Sequence, residues 1–599
     1  MDRTAFLLRE YLENPDITQR ALSERMDLSL GSINRLFTEA AGSGLIEKDS
    51  HIITAKGKQY LKPFKMDGAV ILAAGFGSRF VPLTYETPKG LLEVFGERMV
   101  EREIRQLHDA GITDITIMVG YLKEKFEYLI DLYGVKLLYN PEFADKNTLA
   151  SVWHARKLFP GKNMYLLCSD HWMKNNLFHA YEPGAWYSSV FMKGETSEWP
   201  LTVNKKDIIT STKPGGKDCW VMYGPACFTK DFSAVFIPAL DKAYHEPGTE
   251  QLYWEYVLMN ELNRKKHDEK TPSLEMSINK VENGGVYEFE NLEELRRFDE
   301  RYNERSGNAA MQLIAEAFQV PESEIREIKC LKSGMTNKSF LFSVKEKHYI
   351  CRIPGSGTSL LIDRRSEYDN YRAIKDLHIS EHVVYFNPEN GYKISEFYDG
   401  SRDSDPRNWD DVARCMKLLK AMHRSGASVG HRFDIRERIL FYEKLCVENG
   451  GIPFEDYGTV KKEMIELMDM LDKLNRPVTL SHVDSVATNF IFTPEKDGSE
   501  TVRLIDWEYA GMADPLIDVA MCAIYSYYTK EETEKLMALY LGASPSAEER
   551  TVIYSYMALG GFLWTLWAVY KSNLGETFGD YTLVMYRYAK DYYKFVKAV

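Results

Sequence analysis

Short apolar runs alternate with amphipathic helical stretches along most of the chain, and this alternation predicts several domains built from both strands and helices. Residues 69–73 and the run ITIMVGY are continuously apolar, as buried parallel strands are, and residues 100–110 between them predict a helix. Strand, helix and strand in this order form a βαβ unit. The middle of the chain is therefore expected to hold a largely parallel sheet.

The first 65 residues predict a small helical domain. The stretch FLLREYL forms one apolar helical stripe, two further helices are broken near residues 27–32, and residues 46–61 predict a small hairpin. This pattern resembles the winged helix-turn-helix of bacterial regulators, with residues 29–41 as the helix that would enter a major groove. Ten Lys and Arg against nine Asp and Glu give this region a net charge of +1, which is low for a DNA reader. DNA binding and a protein-contact role both stay open.

Composition narrows the class of protein. A chain of 599 residues is too long for one core and suggests three or four domains. The net charge of -13 argues against a protein that coats nucleic acid or binds an anionic membrane surface. The eight Cys are scattered without a CxxC pair, which indicates free thiols in a reducing cytoplasm. The most apolar run, residues 558–570, reaches only about two-thirds of a membrane span, so a cytoplasmic protein without membrane insertion is expected.

A glycine loop follows the first apolar strand of the middle region. Gly75 and Gly77 would let backbone amides approach a triphosphate, and Arg79 and Lys89 would neutralise its charge. Asp170 ends a later buried strand, MYLLCSD. Because α/β sheets bind ligands at the carboxyl ends of their strands, Asp170 is predicted to face the same crevice as the glycine loop.

The motif AVILAAGFGSRF, followed by TPKGLLEV, resembles the nucleotidyltransferase family that makes nucleoside-diphosphate sugars and alcohols. The stretches VGYLKEKFEYL, EW and LYWE make the chain most similar to CTP:phosphocholine cytidylyltransferases over most of residues 68–300. The resemblance implies a Rossmann-like mixed sheet, CTP as substrate and Mg²⁺ held by Asp170 and Glu290, although an exposed helix-cap acid is the alternative for Glu290. It also implies catalytic roles for Lys89 and Arg79, and a nucleotide site at Leu72, Ala73, Gly75, Gly77 and Gly120.

Aromatic and acidic residues in the same region suggest how phosphocholine would be held. A quaternary ammonium cannot donate a hydrogen bond, so it is bound by aromatic faces, at about 0.5 to 2 kcal/mol each, together with a carboxylate. Glu198, Trp199, Trp254 and Glu255 supply both kinds of group and are the predicted phosphocholine ligands. Core or surface packing is the alternative for each ring.

Two short apolar runs near residue 500 predict a second site. Residues 490–492 and 502–505, separated by turn residues, are expected to pair as an antiparallel hairpin. Asn489 opens the first strand and Asp506 follows the second, so the hairpin would bring two Mg²⁺ ligands together. Asp484 on the preceding loop is predicted to accept the proton of a substrate hydroxyl during phosphoryl transfer. Loop polarity without a catalytic role is the alternative.

The region from residue 325 onward is strand-rich. Arg352 stands where protein kinases carry their strand lysine, Glu367 on the next helix is its expected partner, and the hairpin tip 333–337, which includes Asn337, could cover phosphates. A surface ion pair is the alternative for Arg352 and Glu367. With SHVDSVATNF and LIDWEYAG, residues 320–599 resemble choline kinases and, more loosely, aminoglycoside phosphotransferases. The resemblance implies a protein-kinase-like bilobal fold that uses ATP and Mg²⁺.

The end of the chain favours choline as the alcohol. The stretch FLWTLWAVY places Trp564 and Trp567 on one helix face, with Tyr581 downstream, and resembles the choline kinase box. Glu508 would supply the anionic wall that a cation needs. Core packing is the default alternative for such a tryptophan stripe.

The predicted organisation is a winged helix in residues 1–65, a cytidylyltransferase domain in residues 66–300 and a choline kinase-like domain in residues 301–599. One domain would make phosphocholine from choline and ATP, and the other would convert it with CTP to CDP-choline and pyrophosphate. The alternatives are the same chemistry on ethanolamine or another amino alcohol, and a ligand-sensing regulator that binds DNA. The first domain holds no catalytic candidate, so its deletion is expected to leave both activities. The oligomeric state is not predicted.

Overall fold

The computed structural model describes residues 2–48, 50–263, 274–331, 337–355 and 361–599. Its contacts divide the chain into two compact units, Met1–Asn308 and Ala309–Val599. This division does not test the domain boundaries predicted after residues 65 and 300, so both boundaries stay predictions.

The first unit begins with four helices, α1 (Arg3–Glu13), α2 (Gln19–Met26), α3 (Leu30–Gly42) and α4 (Ala55–Leu61). Each is capped at its N-terminus by an Asp, Thr or Ser side chain that accepts a backbone N–H of the first turn. Helices α2 and α3 are separated near residues 27–32, as the sequence predicted. The hairpin predicted for residues 46–61 is shorter than expected. An antiparallel bridge joins Ile46 to Ile53, and the backbone N–H of Glu47 donates to the Ile52 carbonyl at 2.9 Å, but the chain from Thr54 onward forms the cap and body of helix α4.

The rest of the first unit alternates strands and helices. Its helices are α5 (Met99–Asp109), α6 (Tyr128–Tyr133), α7 (Thr148–Ala155), α8 (Lys230–Tyr244), α9 (Glu255–Asn263), α10 (Leu292–Phe298) and α11 (Arg301–Glu304). Its strands are β1 (Gly68–Ala73), β2 (Glu93–Val94), β3 (Glu97–Arg98), β4 (Ile115–Val119), β5 (Lys136–Tyr139), β6 (Met164–Cys168), β7 (His171–Met173), β8 (Trp186–Thr196), β9 (Leu201–Val203), β10 (Ile209–Thr212), β11 (Gly216–Phe228), β12 (Ser277–Lys280) and β13 (Val286–Glu288).

A seven-stranded mixed sheet, as described, forms the centre of this unit, in the order β12-β8-β11-β6-β1-β4-β5. Strand β1 is buried along its whole length and lies parallel to β4 and β6. Ala73 is paired with Val119, and Leu72 with Cys168, so the three strands end at one edge of the sheet. The glycine loop, Gly120 and Asp170 follow these strand ends directly, which places them at the edge predicted from the sequence.

The second unit contains the helices α12 (Ala309–Phe318), α13 (Arg364–Ile374), α14 (Trp409–His423), α15 (Ile435–Glu448), α16 (Tyr457–Lys473), α17 (Leu516–Tyr525), α18 (Lys530–Leu541), α19 (Ala547–Asn573) and α20 (Tyr581–Ala598). Its strands are β14 (Arg326–Cys330), β15 (Asn337–Val344), β16 (Lys347–Pro354), β17 (Val383–Phe386), β18 (Lys393–Glu396), β19 (Arg402–Asp403), β20 (Thr479–Ser481), β21 (Phe490–Pro494), β22 (Glu500–Leu504) and β23 (Gly511–Ala513).

An antiparallel sheet of order β14-β15-β16-β18-β17 precedes the large helices of this unit. The predicted hairpin is present as β21 and β22, which pair antiparallel with Phe490 opposite Leu504. Asn489 and Asp506 flank this hairpin, as the sequence indicated. Of the tip predicted at residues 333–337, only Asn337 is among the described residues.

Helix α19 is the longest helix of the second unit that the structure describes. It is long and apolar enough to cross a membrane by length and composition, but 94% of its most apolar window is buried inside the fold. It packs against α15, α17 and α20. Such burial is typical of the core helix of a folded domain.

A buried ion-pair network joins the N-terminal helices to the central sheet. Arg9 on α1 donates to Glu182 at 3.0 Å and to Glu10 at 2.9 Å, and all three side chains are nearly inaccessible to solvent. The other oxygen of Glu182 accepts from Tyr165 on β6 at 2.6 Å. Removing residues 1–65 would expose this network, so the expectation that they are dispensable is revised: we now expect their loss to destabilise the first unit.

Candidate active sites

Two glycines around this site, Gly77 and Gly120, are required for steric reasons. Gly77 has φ of 69°, and a Cβ there would lie 3.1 Å from Thr84 and 3.2 Å from Lys89. A Cβ on Gly120 would lie 2.7 Å from the carbonyl oxygen of Ala74. These close approaches bring the backbone after β1 and β4 together, beside Lys89.

Lys89 and Asp170 form an ion pair in this crevice, with 2.5 Å between Nζ and Oδ2. Burial raises the pKa of Asp170, but the charges of Lys89 and His171 outweigh it and hold that pKa below its usual value. The second oxygen of Asp170 is buried without a hydrogen-bond partner among the described residues. An ionised carboxylate with a spare oxygen is a suitable donor for Mg²⁺.

Two glutamates of the segment that includes β13 contact other residues of this region, namely Arg79 of the glycine loop and His171, which follows Asp170. Glu290 accepts from Arg79 at 3.3 Å, and both side chains are exposed. Glu288 lies opposite His171 in the pairing of β13 with β7, with 3.6 Å between Oε2 and Nε2. Sequence reasoning missed Glu288, although its spacing of two from Glu290 in an extended segment was a signal that both side chains share a face. Carboxylate oxygens are the ligands that Mg²⁺ prefers, but the group of potential metal ligands that the described residues bring within 4.8 Å of one another is Cys168, Asp170 and His171.

The predicted phosphocholine ligands separate into two groups. Glu198 and Glu255 are acids whose pKa values rise to about 7 through burial. Tyr187 donates to Glu255 at 3.0 Å, and the other oxygen of Glu255 is buried without a partner in the described part of the chain. Both acids therefore remain candidates for binding a cation.

Trp199 and Trp254 both lie in or against the hydrophobic core of this unit. Trp254 is 2% exposed, stacks on Tyr187 and contacts Phe228 and Phe236. These contacts favour the packing alternative for Trp254, and its role as a phosphocholine ligand stays a prediction. Trp199 is partly buried against the same core.

The second unit brings Asp484 and Asn489 together. The side-chain amide of Asn489 donates to the Asp484 carbonyl at 2.9 Å and to its carboxylate at 3.1 Å. Burial, followed by the charge of Asp506, raises the pKa of Asp484 to about 7. With its NH₂ group held by Asp484, Asn489 has its amide oxygen available to join Asp506 as a metal ligand.

The loop that carries Asp484 is held by the buried carboxylate of Asp518. This carboxylate accepts the backbone N–H of His482 at 2.9 Å and that of Val483 at 2.6 Å. Val483 has φ of 69°, a left-handed conformation that is unusual for a β-branched residue. His423 donates to Asp518 at 2.8 Å and completes the support of this strained loop.

Arg352 and Glu367 form the buried bidentate pair that the sequence predicted. Arg352 also lies 3.9 Å from the carboxylate of Asp506. Glu508 belongs to this group as well: it accepts from Arg364 and from Asn337, each at 3.3 Å. Glu508 thus has Arg364 as a cationic partner, and its predicted role as the anionic wall for choline stays a prediction.

Aromatic rings surround Asp484 on another side. Trp564 packs edge-on against Tyr509 at 5.6 Å and lies 5.8 Å from Tyr525, whose hydroxyl lowers the pKa of Asp484. Trp567 continues the cluster from Trp564 to Phe578, which lies 6.4 Å from Tyr581. Trp564 and Trp567 are each 4% exposed. Sequence reasoning missed Tyr509 and Tyr525, although Tyr509 lies only three residues beyond Asp506.

Three family models match successive parts of the chain. They are a winged helix-turn-helix DNA-binding model over residues 1–47, a nucleotidyl transferase model over residues 68–186 and a choline/ethanolamine kinase model over residues 328–559.

Individual relatives match each half. The choline-phosphate cytidylyltransferase of Streptococcus pneumoniae is 30% identical over 236 residues, which are 39% of this chain and 96% of that protein. The 2-aminoethylphosphonate cytidylyltransferase of Lancefieldella rimae is 32% identical and aligns over 39% of this chain and 92% of its own. The solved choline kinase LicA of Streptococcus pneumoniae is 30% identical, with a TM-score of 0.42, covering 47% of this chain and 98% of its own.

The chain belongs to the nucleotidyl transferase family, and its residues 328–559 match the choline/ethanolamine kinase family model. It combines both with a winged helix-turn-helix at its N-terminus, which confirms the predicted fold classes.

The rate of phosphorylation at the kinase-family site should depend on pH through the ionisation of Asp484. A base must be ionised to accept a proton, and the pKa of Asp484 is about 7, so phosphorylation should be present above this pH and lost as pH falls through it. The measurement is kcat/KM for choline between about pH 5.5 and 8.5. Because the Tyr525 hydroxyl lowers the pKa of Asp484, Tyr525→Phe should move the midpoint upward. A profile that is flat down to about pH 5.5 would contradict the role of Asp484.

Proposed function

We propose that the second unit phosphorylates choline with ATP, and that the first unit transfers CMP from CTP to the resulting phosphocholine, giving CDP-choline and pyrophosphate. The observation that carries this proposal is the aromatic cluster of Trp564, Tyr509 and Tyr525 beside Asp484. It places a surface suited to a quaternary ammonium next to a carboxylate suited to accept a hydroxyl proton.

In the kinase step, the choline oxygen would attack the γ-phosphorus of ATP in line while Asp484 accepts the hydroxyl proton and ADP leaves. Arg352, fixed by Glu367, would bind the nucleotide phosphates. Asn489 and Asp506 would hold Mg²⁺, which supplies charge neutralisation on the phosphates. The residues of the loop before Asn337 lie outside the described part of the chain.

In the cytidylyl step, a phosphate oxygen of phosphocholine would attack the α-phosphorus of CTP, and pyrophosphate would leave. The glycine loop would present backbone amides to the triphosphate, and Lys89 and Arg79 would stabilise the charge that develops on it. Asp170 and Glu288, with Glu290, would hold Mg²⁺ for the same purpose. This chemistry needs no nucleophile from the protein.

A second candidate for the first unit is transfer of CMP to a primary amine such as phosphoethanolamine or 2-aminoethylphosphonate. Two observations favour it: Trp254 is occupied in the core, and a relative that matches this unit is named for 2-aminoethylphosphonate. A primary ammonium donates hydrogen bonds, which the buried acid Glu255 can accept. Comparing kcat/KM for phosphocholine, phosphoethanolamine and 2-aminoethylphosphonate with CTP decides between them.

The winged helix could also serve as a DNA contact through α3. Its exposed face includes Leu30, Asn34 and Arg35, but Arg35 lies 3.8 Å from Glu39 and is partly neutralised by it. The face therefore lacks the net positive charge that most DNA readers show. A purely regulatory role is a weaker proposal, because both units keep the acids, amides and cations that turnover requires.

Replacing Trp567 by leucine should weaken choline binding while leaving ATP binding nearly unchanged. The substitution keeps an apolar side chain but removes a π face, which is worth about 1 to 2 kcal/mol to a quaternary ammonium and corresponds to roughly five- to thirtyfold in KM. The measurement is KM for choline and for ATP in the variant. Trp409→Leu is the matched control, because Trp409 stacks on Tyr528 instead. An equal rise in KM for choline and in KM for ATP would mean that Trp567 only packs in the core.

A further inference from the structure

A buried histidine in the first unit lies between two carboxylates. The Nδ1 atom of His171 is 3.8 Å from Glu103 on α5, and its Nε2 atom is 3.6 Å from Glu288 on β13. Glu103 and the His171 ring are almost entirely buried, whereas the Glu288 side chain is partly exposed. Glu103, His171 and Glu288 therefore form a row that runs from the interior at α5 to the crevice that contains Asp170.

Glu103 has no structural role that explains its burial. Neither of its oxygens has a hydrogen-bond partner within the described ranges, and Nδ1 of His171 is also without one. A buried carboxylate without partners is costly, so its retention points to an interaction that this arrangement nearly makes. A shift of roughly 1 Å would turn both separations from His171 into hydrogen bonds.

We propose that Glu103 and His171 are positioning residues of the cytidylyl-transfer site, which orient the Glu288 carboxylate beside Asp170 for binding a divalent cation. The inference rests on the proposed function only in requiring that a metal binds there.

Two proton arrangements support this role once the groups come within hydrogen-bond distance. In the first, Glu103 is protonated, its O–H donates to Nδ1, and the neutral imidazole carries its own proton on Nε2. In the second, Glu103 is ionised and His171 is an imidazolium, which again has a proton on Nε2. In both arrangements Nε2–H points towards Glu288 and donates to its carboxylate, leaving the other carboxylate oxygen for a metal.

The backbone around Glu288 is already fixed, so its side chain is what remains to be oriented. Tyr223 donates its hydroxyl to the Glu288 carbonyl at 3.1 Å and accepts the Glu288 N–H at 2.8 Å. Glu288 and His171 are also directly opposite in the β13–β7 pair, where cross-strand side chains are neighbours. Groups that orient a metal ligand in this way typically change metal affinity by about 10- to 100-fold when removed.

The test is the Mn²⁺ concentration that gives half-maximal CTP binding to the full chain, measured by calorimetry without any acceptor substrate. An Asp506→Asn background removes the carboxylate of the two metal ligands proposed for the second unit. His171→Leu and Glu103→Leu should each raise this concentration about 10- to 100-fold. His171→Gln and Glu103→Gln, which keep a group able to donate or bridge, should recover most of the loss.

Gln106→Met is the matched control. Gln106 is a buried polar residue on the same helix as Glu103, but it donates to the Met173 carbonyl at 3.1 Å and should leave the Mn²⁺ requirement unchanged. Thermal unfolding shows whether each variant is folded. The proposal is overturned if CTP binding does not depend on Mn²⁺, if folded leucine variants stay within about twofold of the parent, or if Gln106→Met causes the same rise.

This result is separable from the outcome for the proposed function. If the Mn²⁺ requirement shifts as expected but no CDP-choline is ever formed, the substrate assignment fails and the positioning role stands. If CDP-choline is formed but the requirement does not shift, the positioning role fails alone.

Discussion

Asp484→Ala should abolish phosphocholine formation from choline and ATP, while conversion of supplied phosphocholine with CTP continues. Loss of a positioned base typically costs about 10² to 10⁴-fold in rate. Asp484 is held by Asn489 in the second unit, whereas Lys89 and Asp170 pair with each other in the first. Lys89→Ala should therefore do the reverse, with a loss of roughly 10² to 10³-fold in cytidylyl transfer.

The measurement follows phosphocholine and CDP-choline separately in each variant. Lys136→Ala is the matched control for loss of a lysine charge, because Lys136 is exposed and pairs with Asp114. It should leave both reactions unchanged. Loss of both activities from either Asp484→Ala or Lys89→Ala, in a protein that is still folded, would contradict the account of two independent sites.

Arg9→Met should destabilise the first unit by about 3 to 5 kcal/mol. The substitution leaves Glu182 buried without its cation, and removing one member of a buried ion pair has a cost of this size. Urea unfolding, followed by hydrogen exchange in β6, reports the stability of this unit directly. Choline phosphorylation by the second unit should persist at concentrations of urea that unfold the first.

Two further variants make the Arg9 result specific. Arg35→Met removes an exposed pair with Glu39 and should change stability by no more than about 0.5 kcal/mol. The double change Arg9→Met with Glu182→Gln should recover much of the loss, because it removes the unpaired charge. A stability of Arg9→Met equal to that of Arg35→Met would mean that the N-terminal helices are only loosely attached.

The sequence predicted best those parts of the sites that depend on local pattern. Asn489 and Asp506 were found because a hairpin with clear turn residues brings its two ends together, and Arg352 with Glu367 because a strand is followed closely by a helix. The edge of the sheet that holds the glycine loop and Asp170 followed from the order of strands and helices.

Long-range partners could not be predicted in the same way. Arg9 meets Glu182 across 173 positions, and Arg364 meets Glu508 across 144, so neither pairing has a local signal. The neighbours of Trp254 and Glu508 were not predicted either, because residue type indicates what a side chain can bind but not which residues pack against it. His171 follows Asp170 directly in the sequence. Its neighbour Glu103 could not be predicted, because only the packing of α5 against β7 brings the two side chains together.

The most direct test of the central claim is to incubate the purified full-length protein with choline, ATP, CTP and Mg²⁺, and to follow choline-containing products over time. The account predicts that phosphocholine appears first and is then converted to CDP-choline, with pyrophosphate released in equal amount. Omitting CTP should stop the sequence at phosphocholine, and omitting ATP should prevent both products. Formation of neither product from choline, with turnover of ethanolamine or 2-aminoethylphosphonate instead, would contradict the assignment of choline.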